Sequence, residues 1–379
     1  MFNKTTRLGL SLFAILAGGP VSTGQVQIRP RTAVDYQPVN EISIGGDAEP
    51  GFMAVDAAAR RLYLCHQTEV VVIDLDKDAV AGRIGGLAGV RGFALAPELG
   101  LGFSANSLDG KAAIIDLKTQ SIVSKVEAGR EPSVIAFDSD QQEVYVFSRR
   151  SQSATVFEAK TGKPVGVVPL PGQPAAAAVD PDAARVFCTS LTPGSDEHEV
   201  ASIDHIKFHT IADDWRISPG LEPGGMAIDA ERHRLFVACN LSPKRALDGI
   251  NLPGTGLVKA NGLILMMSAI NGTVITRLRT GLGVEGIAFD PGTRLLFCLA
   301  AQQGSISISH EDSPQRLSLA QVMEAPKGIR FVAVDPKTHK LYVSAAEFET
   351  RLPVAAGIAA PRPRALQDTL RVLVFAPGK

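Results

Sequence analysis

Several things are scarce in this chain, and each scarcity closes off a class of function. Cysteine occurs only four times in 379 residues. Cys65, Cys188, Cys239 and Cys298 stand far apart, so they lack the short spacing of a zinc or haem site. An excess of either charge is missing: 38 Lys and Arg face 39 Asp and Glu, a formal net charge of -1. That balance gives no overall electrostatic reason to expect a nucleic acid or a membrane surface as partner. Aromatic residues make up 6% and tryptophan occurs once. Basic residues such as Arg149, Arg150, Lys244, Arg245, Arg351 and Arg362 therefore have no stacking platforms beside them, and single-strand binding ordinarily uses both. No Cys-x-x-Cys-His, Gly-x-Ser-x-Gly or phosphate-loop motif occurs, which removes the usual signs of covalent haem, a hydrolase nucleophile and a nucleotide site. No cofactor is expected.

Long apolar runs are also few. The first lies at the N-terminus, where Lys4 and Arg7 precede Leu8 to Ala17, followed by GGPVSTGQ. A basic segment, a short apolar stretch and small residues are the layout of a secretory signal. The run is shorter than the roughly 20 residues a spanning helix needs. The expectation is a signal peptide over 1–24, cleaved between Ala17 and Gln25, with an uncleaved anchor as the alternative. No Cys follows to carry a lipid. The mature chain is expected in the periplasm or outside the cell, as a monomer without stable membrane insertion. In an oxidising compartment the four cysteines could pair, but they close the runs LYLC, RVFC, FVAC and LLFC. Equivalent places in separate repeats suit buried free thiols better.

What the chain has in abundance is turns and repetition. Gly and Pro number 36 and 24. One segment recurs seven times: a turn, an apolar run ending in Asp, a polar turn, then a β-branched or aromatic run. It reads GFMAVDAAARRLYL, GFALAPELGLGFS, SVIAFDSDQQEVYVF, AAAAVDPDAARVFC, GGMAIDAERHRLFV, GIAFDPGTRLLF and FVAVDPKTHKLYV. The marker residues are Asp56, Ala96, Asp138, Asp180, Asp229, Asp290 and Asp335, spaced 40, 42, 42, 49, 61 and 45 apart by subtraction. Third strands such as VVVIDL and fourth strands such as IVSKV complete each unit. Four short strands per unit of about 40 residues is the pattern of a β-propeller blade. No convincing helical period is present, and Leu317 to Val322 reads as strand. The seventh unit supplies only three strands, whereas Val39 to Ile44 (VNEISI) is a spare one before the first unit. The expected fold is all-β: a seven-bladed propeller over 39–379, after a flexible segment 25–38, with the N-terminal strand completing the last blade. Closure would remove the exposed edges of an open array.

The copies resemble the YVTN family of propeller repeats. EVYVF at Glu143, KLYVSA at Lys340, VVIDLDKDAVAGRI at Val71 and AIIDLKTQSIVSKV at Ala113 carry the likeness. It spans roughly 39–379 and breaks where Ala96-Pro97 replaces the marker Asp and where three units are interrupted. The resemblance implies seven blades and an extracytoplasmic setting, and no single activity, because propellers host many.

In such a ring, the turn leading into each first strand and the loop joining second to third strands share one rim. The three insertions, Ser190 to Glu199, Leu241 to Gly262 and Phe348 to Thr369, all fall in second-to-third-strand loops and hence on that rim. Long loops on a rigid scaffold tend to carry function, although surface loops also lengthen cheaply without one. The turns on the same rim supply Glu49, Arg91, Arg130, Glu131, Glu222, Glu285, Lys327 and Arg330. Together they suit a small zwitterionic or anionic ligand; the alternative is mutual pairing across the rim, for example Glu285 with Arg330. Of seven histidines only His66 and His198 fall on this rim, so no histidine metal centre is expected and the histidines read as surface residues. The favoured function is a binding module for a small molecule or a protein. The competing reading is an enzyme, lactonase-like or redox-related, using Glu49, Glu222 and Glu285, although no matching Asn stands in these turns.

Overall fold

A computed structural model of the protein describes residues 34–46, 49–206, 209–217, 220–241, 250–252, 256–258, 262–349 and 364–378. The segment 1–24 and most of the two longer insertions lie outside these residues. The described chain forms seven four-stranded antiparallel sheets plus one small hairpin, Ile250–Leu252 with Gly256–Val258, within the second insertion. Each sheet is one blade in the expected order; blade 3, for example, runs Pro132–Asp138, Glu143–Ser148, Ser153–Glu158 and Pro164–Pro169. Arg316–Glu324, which contains Leu317 to Val322, is a strand.

The last blade is closed by the N-terminus. Tyr36–Ser43 pairs with Arg371–Pro377 as the outermost strand, from Tyr36 opposite Pro377 to Ser43 opposite Arg371. It begins at Tyr36, earlier than the expected Val39, because Tyr36 belongs to the core. Its ring is 1% exposed and meets Phe297 edge-on at 5.1 Å, and its hydroxyl donates to the His339 carbonyl at 2.8 Å.

Two repeated devices hold the ring. The first is a small–large pair facing the next blade. In every blade an Ala on the first strand lies directly opposite an aromatic on the second: Ala54–Tyr63, Ala94–Phe103, Ala136–Tyr145, Ala178–Phe187, Ala227–Phe236, Ala288–Phe297 and Ala333–Tyr342. Blades converge toward the axis, so only a methyl fits there, and the aromatic one strand further out fills the widening wedge. The seven hydrophobic clusters coincide with the seven blade interfaces, each containing one of these pairs. The four cysteines sit in four of them, free and buried. Burial pushes their thiols up, that of Cys298 to about 12, which keeps them protonated and inert.

The second device is the marker Asp. One oxygen holds its own turn, as where the Ala59, Asp140, Ala183, Gly292 and Lys337 amides donate to Asp56, Asp138, Asp180, Asp290 and Asp335. The other oxygen reaches a base on the following blade. Arg60 Nη1 lies 2.7 Å from Asp335, His233 Nδ1 2.7 Å from Asp180 and His339 Nδ1 2.7 Å from Asp290. Arg294 pairs with Asp229, and His205 with Asp138. Arg60, His233, Arg294 and His339 all occupy the same left-handed position, φ 51 to 59°, that ends the first turn of their blade. Gly100, Gln142 and Ala184 hold it in the other three; blade 4 substitutes His205 from the turn just after its third strand, His198–Asp204. Two interfaces lack the latch, because Gly100 offers Asp56 no side chain and Ala96 offers Gln142 no carboxylate.

These contacts correct the reading of the histidines as surface residues. The His205 side chain is fully buried, those of His233 and His339 are one-third exposed, and each pairs with a carboxylate that is 0% exposed. His198 is also buried, its Nδ1 accepting the Thr192 amide at 3.2 Å.

Candidate functional site

The loop-bearing rim is shaped by an irregularity repeated at the start of the first strand. In six blades the register to the second strand slips there: after Val90, Pro132, Pro174, Pro223, Val284 and Ile329. A bulge frees a residue from the ladder and redirects it. Counted back five from each marker, the freed position holds Arg91, Ser133, Ala175, Gly224, Glu285 and Arg330 in blades 2 to 7, and Gly51 is its equivalent in blade 1, where no slip occurs. At Gly51 a Cβ would lie 1.9 Å from the Cys65 carbonyl oxygen, so only glycine passes this close.

The eight charged residues expected on this rim therefore occupy two tiers. Arg91, Glu285 and Arg330 are equivalent, at the bulge. Glu49, Glu131 and Glu222 stand two residues earlier and Arg130 and Lys327 three earlier, all in the connection from the preceding blade except Glu222, which is already in the first strand of blade 5. The structure brings three of them together across the last blade and its neighbours. Arg330 Nη1 lies 2.5 Å from Glu49 and Nε 3.9 Å from Glu285, with the Arg330 side chain 23% exposed and the two carboxylates nearly half exposed. The pairing of Glu285 with Arg330 weighed from the sequence is thus present, extended by Glu49. The others are held separately. Glu131 pairs with Arg150 at 2.9 Å, Arg91 Nε lies 3.4 Å from Ser107 Oγ, and the Arg130 amide donates to Ser151 Oγ at 2.7 Å. Arg91, Arg130 and Lys327 are exposed, and Glu222 is half-buried opposite Asn240.

The rim is braced beneath these charges. Asn240 acts as an extra piece of backbone: its Nδ2 donates to the Val284 carbonyl at 2.8 Å and its Oδ1 accepts the Val284 amide at 2.7 Å. That clamps blade 5 to the start of blade 6 beside Glu285. Sequence reasoning missed Ser133, at the bulge of blade 3, whose Oγ is buried without a hydrogen-bond partner among the described residues. Its only signal was its place in the repeat. The rim can chemically offer guanidinium and carboxylate groups at fixed spacing around an axis. Among the described residues no three His, Cys, Asp or Glu side chains are placed to hold a metal ion. Lys244, Arg245, Arg351 and Arg362 lie outside the described residues, and among those residues no helix is long and apolar enough to cross a membrane.

No protein-family model matches the chain, and no curated protein matches it. Solved structures do. Kuenenia stuttgartiensis Hydrazine Synthase superposes with a TM-score of 0.66 at 16% identity, covering 79% of this chain and 93% of that one. The Myceliophteria thermophila Cps50 (Swd1) beta-propeller domain superposes with a TM-score of 0.65 at 12% identity, covering 90% of this chain and 99% of that one. At such identities the likeness is one of fold, and a propeller's fold leaves its activity open. The chain is a seven-bladed β-propeller closed by its N-terminal strand.

Proposed function

We propose that this protein is an exported, YVTN-type propeller that binds a small polar ligand or a protein partner on its loop-bearing rim. The observation that supports this reading most is the unequal use of charge on the two rims. The plain rim spends its Asp, Arg and His side chains on latches between blades, and their carboxylates are shut off from solvent. The loop-bearing rim turns Arg91, Glu285 and Arg330 out of the ladder by bulges and leaves Arg91, Arg130 and Lys327 exposed. Charge aimed at solvent around an axis, on the rim from which the long insertions depart, suits recognition better than stability. The N-terminal signal pattern supports export.

The test compares the tagged parent with the Arg91→Ala, Glu285→Ala, Arg330→Ala triple variant. Both are used to capture ligands or proteins from native envelope extract, with mass spectrometry as readout. The reading expects species retained by the parent and lost by the variant while the variant keeps its fold by circular dichroism. An identical set of retained species sinks it. Cell fractionation checks export, which fails if the full-length chain stays in the cytoplasm with residues 1–24 uncleaved.

A further inference from the structure

The described residues give the ring seven outermost strands, one per blade, and six of these carry charge. Arg83, Lys125, Asp213, Arg277, Arg316 and Glu41 each stand on a different one. Blade 3 is the exception, since Pro164–Pro169 reads PVGVVP. Charge on an edge strand ordinarily keeps it from pairing with another chain. Here that guard is missing, and Val165 is 40% and Val167 63% exposed.

This strand also lacks a cover that others have. In blades 2, 3 and 5 the turn between third and fourth strands leans on the outermost strand of the blade before. A Cβ at Gly82 would come 2.2 Å from Gln120 Oε1, one at Gly162 3.9 Å from Ser124 Oγ, and one at Gly272 2.2 Å from the Trp215 ring. Gly166 is the equivalent of Gly82 and Ser124, because each pairs with the third-strand residue just before the register slips. Among the described residues, a Cβ at Gly166 would meet nothing within 4 Å. The turn of blade 4 is drawn inward instead. His209 Nδ1 meets the Tyr145 hydroxyl at 2.7 Å and His205 pairs with Asp138, both on the inner strands of blade 3.

The bare edge is organised around Val167. The Leu170 amide donates to the Gln152 carbonyl at 2.8 Å, and Pro169, Val168 and Val167 pair in step with Ser153, Ala154 and Thr155. Alternate residues of an antiparallel strand bond the same neighbour. Val168 therefore bonds inward, while Val167 and Pro169 turn their backbone groups outward. Proline has no N–H to offer, so the outward donor of this stretch is that of Val167. A two-fold axis at Val167 lets the N–H and C=O of each copy satisfy those of the other, with the two valine side chains paired across it. Charge decides which edge can pair with itself. Arg83, Glu41 or the Arg277 and Arg279 pair would meet like charge across such an axis, whereas PVGVVP meets none. The prolines at its two ends keep the pairing short.

We propose that the outermost strand of blade 3 is a self-association edge: two copies of this chain pair Pro164–Pro169 antiparallel about Val167 and form a reversible dimer rather than the monomer expected from the sequence. A single edge of six residues falls short of the roughly 1,200 Å² that stable interfaces bury. The dimer therefore forms at high concentration and dissociates on dilution.

Sedimentation velocity of the full chain from micromolar to submillimolar concentration tests this. The parent's sedimentation coefficient should rise with concentration, and Val167→Lys should weaken the association at least tenfold. Crosslinking tests the register. Opposed residues of a hydrogen-bonded pair have Cα atoms about 5.5 Å apart, within reach of a disulfide. Under mild oxidation Val167→Cys should give a covalent dimer. Val123→Cys, which is 61% exposed on the outermost strand of blade 2, should not. Both positions are exposed, so these variants keep the fold, and the four native cysteines are buried. A parent that stays monomeric throughout, whether the edge serves a strand of another protein or none, overturns the dimer. So does undiminished association of Val167→Lys, or equal crosslinking at the two positions.

Discussion

The two rims of this ring are built from the same residue types and use them in opposite ways. On the plain rim, Asp335 and Arg60 meet in a pocket where the carboxylate is fully buried and the guanidinium 12% exposed. On the loop-bearing rim, Arg330 meets Glu49 at a similar distance with both partners open to water. Identical chemistry has a different value in each place. A buried pair is expensive to break because the survivor is left charged and unsolvated, whereas an open pair contributes little and stays available. The difference separates what closes the ring from what can meet a partner.

The largest expected effect comes from the plain rim's anchor. Tyr36→Ala removes a fully buried ring and its hydrogen bond to the His339 carbonyl, and should cost about 3–5 kcal/mol in urea unfolding. A loss below about 1 kcal/mol would mean that the closing strand holds by backbone pairing alone. Next comes Arg60→Ala, expected to cost about 3 kcal/mol because Asp335 is left buried and unpaired. This effect carries a pH signature. Burial pushes the Asp335 carboxyl up, but hydrogen bonds from Thr338, Arg60 and the Lys337 amide outweigh it and hold the group below the ordinary aspartate range. A depressed carboxyl stabilises the folded state above its unfolded value of about 4 and loses that contribution as pH falls. The parent should therefore lose stability on acidification more steeply than Arg60→Ala; parallel acid limbs would remove Arg60 from the latch.

A third experiment sharpens the comparison by adding a latch where one is missing. Ala96→Asp alone should destabilise, since Ala96 is buried. Combined with Gln142→Arg, it should recover at least about 1 kcal/mol of coupling in a double-mutant cycle. Zero coupling would show that the left-handed position of blade 3 does not reach its neighbour. The smallest effect belongs to the other rim. Arg330→Ala should change stability by less than about 1 kcal/mol, and a loss as large as that of Arg60→Ala would erase the distinction between the rims.

The ring itself was legible because each blade repeats a local pattern. The apolar run ending in Asp fixes the first strand, and the aromatic that follows fixes the second, both within a few residues of each other. The spare strand at Val39 to Ile44 could be counted for the same reason, although the role of Tyr36 could not, since its partners Phe297 and His339 belong to distant units. The histidines were misread on the same ground. His233 and Asp180 are a blade apart, and nothing in local spacing says that a left-handed turn residue reaches back to the preceding Asp. On the loop-bearing rim, Glu49, Arg130, Glu131 and Lys327 stand in the expected turns, whereas Arg91, Glu222, Glu285 and Arg330 stand at the start of the first strands. The bulge that makes Arg91, Glu285 and Arg330 equivalent, while placing Glu49 and Glu222 on another tier, is a slip in hydrogen-bond register, and register leaves no mark in composition.

The closing strand also sets an order in time. Tyr36 can find Pro377 only after the six intervening blades have been synthesised, so the last blade of the ring is necessarily the last to be completed. Until then Tyr36–Ser43 is a loose edge that could pair with another chain. Its sequence is suited to that wait: YQPVNEIS carries a proline, a slip in register beside it, a carboxylate at Glu41, and mostly exposed side chains even when paired. These are the features that keep an unpaired strand from sticking. The same eight residues thus serve as a poor partner for strangers during synthesis and as the final piece once their own blade is present.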